Sequence, residues 1–177
     1  MQSPPVIRTA LNFGALCGLV NITIFLVLFF SGMNPLSMLY FYYVPAPIVF
    51  MIIAARHYRN NENGGLLRYD QGFRISLLTS LAGALVYGAF VWIFLTAFDG
   101  SVMEMVRQEY LENLEKSEGM MKSMLGEEAY DQSIESIDNL TPYNLVATDV
   151  FYKGLGGLLC SLIIAAFMRR VPYFKEE

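Results

Sequence analysis

Four apolar stretches, residues 10–32, 36–55, 73–98 and 144–168, alternate with segments whose charge changes sign along the chain. At about 1.5 Å rise per helical residue, each is long enough to cross the roughly 30 Å hydrocarbon core of a bilayer. The pattern predicts an all-α fold: a four-helix transmembrane bundle with an extracytoplasmic amphipathic helical insert between helices three and four. The whole chain, 1–177, is then a single integral membrane domain. Charged residues make up 16% of it, against about 25% in soluble domains, and mean hydropathy is +0.42, so lipid is the expected solvent. The first stretch is too long for a signal-peptide core, and Ser31-Gly32-Met33-Asn34-Pro35 lacks the small-residue pattern of a cleavage site, which predicts an uncleaved first span.

Orientation follows from the cations, because loops rich in Lys and Arg stay cytoplasmic. Arg8 precedes the first span, Arg56, Arg59, Arg68 and Arg74 lie between the second and third, and Arg169, Arg170 and Lys175 follow the fourth. Both termini are therefore expected in the cytoplasm. The 99–142 segment, placed outside, carries three cations against eleven acids. Such an acidic exterior excludes nucleic acid and anionic lipid as its partners.

Small residues recur every four positions and so share a helical face. Ala10, Gly14 and Gly18 do so in span one, Ser76, Ser80, Ala84 and Gly88 in span three, and Gly157, Ser161 and Ala165 in span four. Such faces let backbones approach where lipid supplies no hydrophobic drive. They fit packing within the bundle or a homo-oligomer. Span two differs: Pro45 and Pro47 follow the aromatic run Tyr40-Phe41-Tyr42-Tyr43, predicting a kink or restart beneath an interfacial aromatic belt.

Between spans two and three, Asn63-Gly64-Gly65 signals a turn. Asp70 is then placed to complement a helix N-terminus and to pair with Arg74. His57, the single histidine, has neither a nucleophile nor further metal ligands in sequence reach. In the acidic segment, Ser101 and Glu104 have capping-box spacing. Met103, Val106, Tyr110, Leu114, Met121 and Leu125 trace an amphipathic stripe ending at Gly126. A second short helix over 127–137 would bury Tyr130, Ile134 and Ile137, and Thr141-Pro142 would cap and open span four.

Asp149 and Lys153 form the sharpest polar pair, one helical turn apart inside span four. A lone charge at the helix centre costs about 2.5 to 3.5 kcal/mol on insertion scales, so pairing is expected. Cys17 and Cys160 lie nine residues from Arg8 and Arg169 respectively, at similar depth, and read as packing thiols.

The order of elements resembles an uncharacterised bacterial membrane family, domain of unknown function 4199. The resemblance rests on Phe13-Gly14 opening span one, Ala54-Ala55-Arg56-His57-Tyr58-Arg59 closing span two, and Gly64-Gly65 with Tyr69-Asp70-Gln71-Gly72-Phe73-Arg74 entering span three. The charged insert and Leu162-Ile163-Ile164-Ala165-Ala166-Phe167 before the basic end complete it. It implies a four-span inner-membrane protein with no assigned activity.

Three function classes fit these residues. One is a non-enzymatic accessory or scaffold subunit, in contact with membrane lipids and with other membrane subunits or copies of itself. The second is a small transporter or channel using the broken second helix and Asp149. The third is a membrane enzyme acting on a lipid-linked substrate, for which no nucleophile, metal set or phosphate loop is found. No catalytic residue, cofactor or metal is expected.

Overall fold

The computed structural model describes residues 5–37, 42–98 and 100–170. They form seven helices: α1 (Pro5–Phe30), α2 (Pro45–His57), α3 (Tyr69–Ala97), α4 (Ser101–Lys116), α5 (Glu118–Leu125), α6 (Glu127–Asp138) and α7 (Pro142–Met168). Three of them, α1, α3 and α7, are long and apolar enough to cross a membrane. The chain is a membrane protein.

The second apolar stretch departs from its expected bounds. Its helix begins at Pro45 and has 13 residues, about 20 Å at helical rise and short of the roughly 30 Å hydrocarbon core. Pro45 and Pro47 start the helix where kinking was the alternative, since missing amide protons cost nothing in a first turn. A π-helical turn, Tyr58–Glu62, then extends α2. Gly64 and Gly65 turn the chain at φ +59° and +83°, a left-handed region that glycine enters without a steric penalty. Gln71 Oε1 accepts from the Arg68 backbone N–H at 3.1 Å and fixes the start of α3. Asp70 pairs with Arg68 at 3.0 Å, which lies on its own turn, and not with Arg74 as the spacing suggested.

The small-residue faces sit inside the chain. A Cβ built on Gly14 would lie 2.5 Å from the Ala82 Cβ, and one on Gly18 would lie 2.7 Å from the Val86 Cβ, so α1 and α3 run parallel with backbones nearly touching. Helix α7 runs antiparallel to α3: Gly157 faces Ser80, Gly88 faces Val150, and Gly72 faces Ala165. Ser76, Ser80, Ala84, Ser161 and Ala165 are all buried. At one end, which we call the basic end, Tyr58, Leu67, Ile75 and Met168 pack together, and Leu67 and Arg170 form an antiparallel bridge. The first described residues of α1 and the last of α7 thus share that end.

At the other end, α4 packs its Val102, Met103 and Val106 onto a cluster of Phe25, Leu36, Tyr87, Val91, Leu95 and Leu145. Phe25 is ringed edge-on by Tyr87, Phe90 and Phe94 at 6.3, 5.7 and 5.1 Å, the geometry favoured by aromatic quadrupoles. Asp99 lies outside the described residues. Ser101 is the first helical residue of α4, with Gly100 in the cap position, so the predicted box sits one residue too far in. The long stripe is broken at Ser117 into α4 and α5. Gly126, at φ +90°, separates α5 from α6. Tyr130 is buried while Ile134 and Ile137 are half-buried. The Thr141 hydroxyl accepts from the Asn144 N–H at 3.2 Å as the cap of α7.

Candidate functional site

Polar chemistry among apolar helices gathers around Asp149 and Lys153, in the half of α7 nearer α4. The Lys153 ammonium donates to Asp149 Oδ1, and the two side chains are only 13% and 9% exposed. Helical periodicity forces this pairing, because residues four apart lie one above the other. The ammonium also sits 4.5 Å from the Tyr87 ring centroid and 5.1 Å from that of Tyr43. Two aromatic faces and one carboxylate thus replace the water that a buried cation loses. Tyr43 was expected in an interfacial aromatic belt, and Tyr87 was not singled out in the sequence.

The segment before α2 supplies the other wall. Tyr43 is 5% exposed and donates its hydroxyl to the Pro35 carbonyl at 2.7 Å, so it belongs to the core and not to an aromatic belt. Tyr42 is half exposed, and Tyr40 and Phe41 lie outside the described residues. Glu109 of α4 clamps the same segment, accepting from Asn34 Nδ2 at 2.7 Å and Ser37 Oγ at 2.6 Å. Arg107 Nη2 donates to the Leu140 carbonyl at 3.0 Å, tying α4 to the start of α7. Asn34, Pro35, Tyr43 and Glu109 border a small cavity of about 260 Å³.

A larger groove, of about 680 Å³, runs between α2 and α7. Val44, Pro47, Ile48 and Met51 form one wall; Thr148, Tyr152, Lys153, Gly156, Gly157 and Cys160 form the other; Tyr110 of α4 stands at its end. Burial first, and then the Glu109 and Asp149 carboxylates, raise the Tyr110 hydroxyl above its ordinary pKa. It is therefore a neutral phenol able to donate a hydrogen bond. The groove is polar near α4 and apolar toward Met51 and Cys160.

The remaining sequence candidates fall elsewhere. His57 Nδ1 lies 3.0 Å from Asn61 Nδ2, its Nε2 lies 3.8 Å from Glu62 Oε1, and its ring stands edge-on to Phe13 at 5.2 Å. Glu62 also accepts from Thr9 Oγ1 at 2.8 Å, so His57 belongs to a contact that ties the basic end together. Cys17 faces Gly83 of α3 whereas Cys160 lines the groove; both are free thiols. Similar depth does not make them neighbours, because they occupy different helix faces. Among the described residues, no three His, Cys, Asp or Glu side chains are grouped to hold a metal ion.

A family model described as protein of unknown function, DUF4199, matches residues 12–170. The chain belongs to that family. No curated protein and no solved structure matches it.

Proposed function

We propose that this DUF4199 protein is a non-enzymatic accessory or scaffold subunit of a bacterial inner-membrane assembly, and that α5 is the surface it offers to its partner. The exposure of α5 carries the reading. This helix has no buried residue, and Met120, Met124 and Leu125 are 70%, 75% and 67% exposed. Contiguous apolar side chains on an otherwise polar segment mark interaction surfaces, and methionine adapts its shape to a partner. The stripes of Gly14, Gly18, Gly88 and Gly157 are occupied within the chain, which leaves α5 as the open apolar face of the α4–α6 segment. Glu112, Glu115, Glu118, Glu127 and Glu128 surround it in sequence, so the matching surface is apolar with a Lys and Arg rim. Lys122 is held by Glu118 at 2.9 Å and stands over the Tyr130 ring at 4.7 Å. That ties α5 to α6 and presents the methionines as a fixed face.

Purification of the full chain from native membranes in mild detergent should yield a partner in defined stoichiometry. The double substitution Met120→Glu/Met124→Glu should release that partner while changing thermal stability by no more than about 0.5 kcal/mol, as expected at exposed sites. A single monodisperse species under several gentle conditions would count against the reading.

The orientation belongs to the same proposal. With both termini and loop 56–72 cytoplasmic and 99–142 outside, a cysteine placed at Asn61 should stay unlabelled by a membrane-impermeant thiol reagent in intact cells. One placed at Ser117 should label, with Cys17 and Cys160 removed from both proteins. Labelling at position 61 but not at 117 reverses the topology.

A further inference from the structure

The groove between α2 and α7 has the shape and polarity gradient of a site for one extended hydrocarbon chain. Its lining positions on α7, Thr148, Tyr152, Gly156 and Cys160, follow each other at four-residue steps, so the slot runs along the helix axis for about 18 Å. Its volume, about 680 Å³, falls within the roughly 300 to 1,000 Å³ of small-molecule sites. The slot exists because of two local facts. Gly156 leaves the α7 wall bare, with no atom within 4 Å of where its Cβ would be. Pro45 and Pro47 hold the first turn of α2 as the facing wall. Both helices belong to a bundle whose long members have membrane-spanning length. Next to the slot, Val44, Tyr152 and Leu159 are 49%, 57% and 58% exposed, so it opens sideways, toward where lipid lies. Water is a poor filling for walls built of Val44, Pro47, Ile48 and Met51.

The polar groups gather toward α4, where Tyr110, Thr148 and Lys153, the last held by Asp149, line the slot. An ion pair without net charge, together with phenol donors, suits the ester and phosphate oxygens of a lipid whose headgroup is itself zwitterionic. We propose that the groove holds one acyl chain of a zwitterionic bilayer phospholipid, with its glycerol and headgroup at the Tyr110 end and its methyl end between Met51 and Cys160. The lipid completes the bundle where α2 falls short of membrane thickness.

The test uses the full chain in phosphatidylcholine vesicles containing traces of phosphatidylcholine with a photoactivatable diazirine on one acyl chain, followed by peptide mapping of the adducts. A diazirine at the chain terminus should mark Ile48, Met51 and Cys160 about tenfold more than Leu16 and Leu19 on the lipid face of α1, the excess of a site that binds about 1.4 kcal/mol better than bulk annular lipid. A diazirine near the carbonyl should shift the adducts to Thr148 and Tyr152. A Cβ at position 156 has open space around it, so Gly156→Leu places its side chain in the slot, and should lower groove adducts about tenfold while leaving those on α1 unchanged. Should that variant fail to accumulate, Cys160→Phe blocks the other end and should abolish the terminal-label adducts alone. Equal labelling of groove and α1, absence of depth dependence, or adducts that survive both substitutions would each show annular lipid only and overturn the proposal.

Discussion

Replacing Gly157 with leucine should cost about 3 kcal/mol, near the top of the range for overpacked sites, and lower the melting temperature in detergent by about 6 to 12 °C. The first atom added already collides: a Cβ at position 157 would lie 2.0 Å from Ser80 Oγ and 2.7 Å from Ser80 Cβ. The hydroxyl can rotate away. The Cβ cannot, so α7 must move from α3. The contrast with its neighbours makes the prediction specific. A Cβ at Gly156 meets nothing within 4 Å, and Leu158 is 36% exposed, so Leu158→Phe should cost no more than about 0.5 kcal/mol. Ser80→Gly should recover part of the loss in Gly157→Ala, because the two residues touch and their effects are therefore not additive. If Gly157→Leu and Leu158→Phe melt together with the parent, the small-residue face is not an interface.

The second large effect concerns the ion pair. Asp149→Leu alone leaves the Lys153 ammonium between the rings of Tyr43 and Tyr87 without its carboxylate, and Lys153→Met alone strands the carboxylate. Each should destabilise by about 3 to 5 kcal/mol, the cost of an uncompensated buried charge. The double variant Asp149→Leu/Lys153→Met should come close to the parent, since an apolar pair of similar volume needs no desolvation. Thermal unfolding of all four proteins in one detergent closes the cycle. A double variant as unstable as the sum of the singles would mean that the two charges are not coupled, and that the contact contributes nothing to the fold.

Much of this architecture was legible because it follows from short-range rules. Length and hydropathy marked α1, α3 and α7. Four-residue spacing put Gly14 with Gly18, Ser80 with Ala84 and Gly88, and Asp149 with Lys153. Local chemistry placed the glycine turn at Gly64 and Gly65 and the Thr141 cap. The errors were of two kinds. Where a local signal had two solutions, the other one was used: Asp70 chose Arg68 over Arg74, whereas Pro45 took the restart that was one of its two expected outcomes. Where an apolar stripe was assumed to mean burial, it was followed too far, since Val106 is buried but Leu125 of α5 is not.

By itself, then, the sequence determined the three long helices, their apolar character and which residues share a face, because hydrogen bonds within a helix and side-chain periodicity depend only on near neighbours along the chain. Which face meets which was decided by the tertiary structure alone. Gly14 finds α3 and Gly157 finds Ser80; Glu109 reaches back more than seventy residues to Asn34 and Ser37; Tyr43 from the segment before α2 and Tyr87 from α3 converge on one lysine of α7. Such contacts depend on the joint fit of all the helices at once, and no spacing along one helix encodes them. The groove between α2 and α7 is a product of that fit, left where a short helix and a glycine without a side chain face each other.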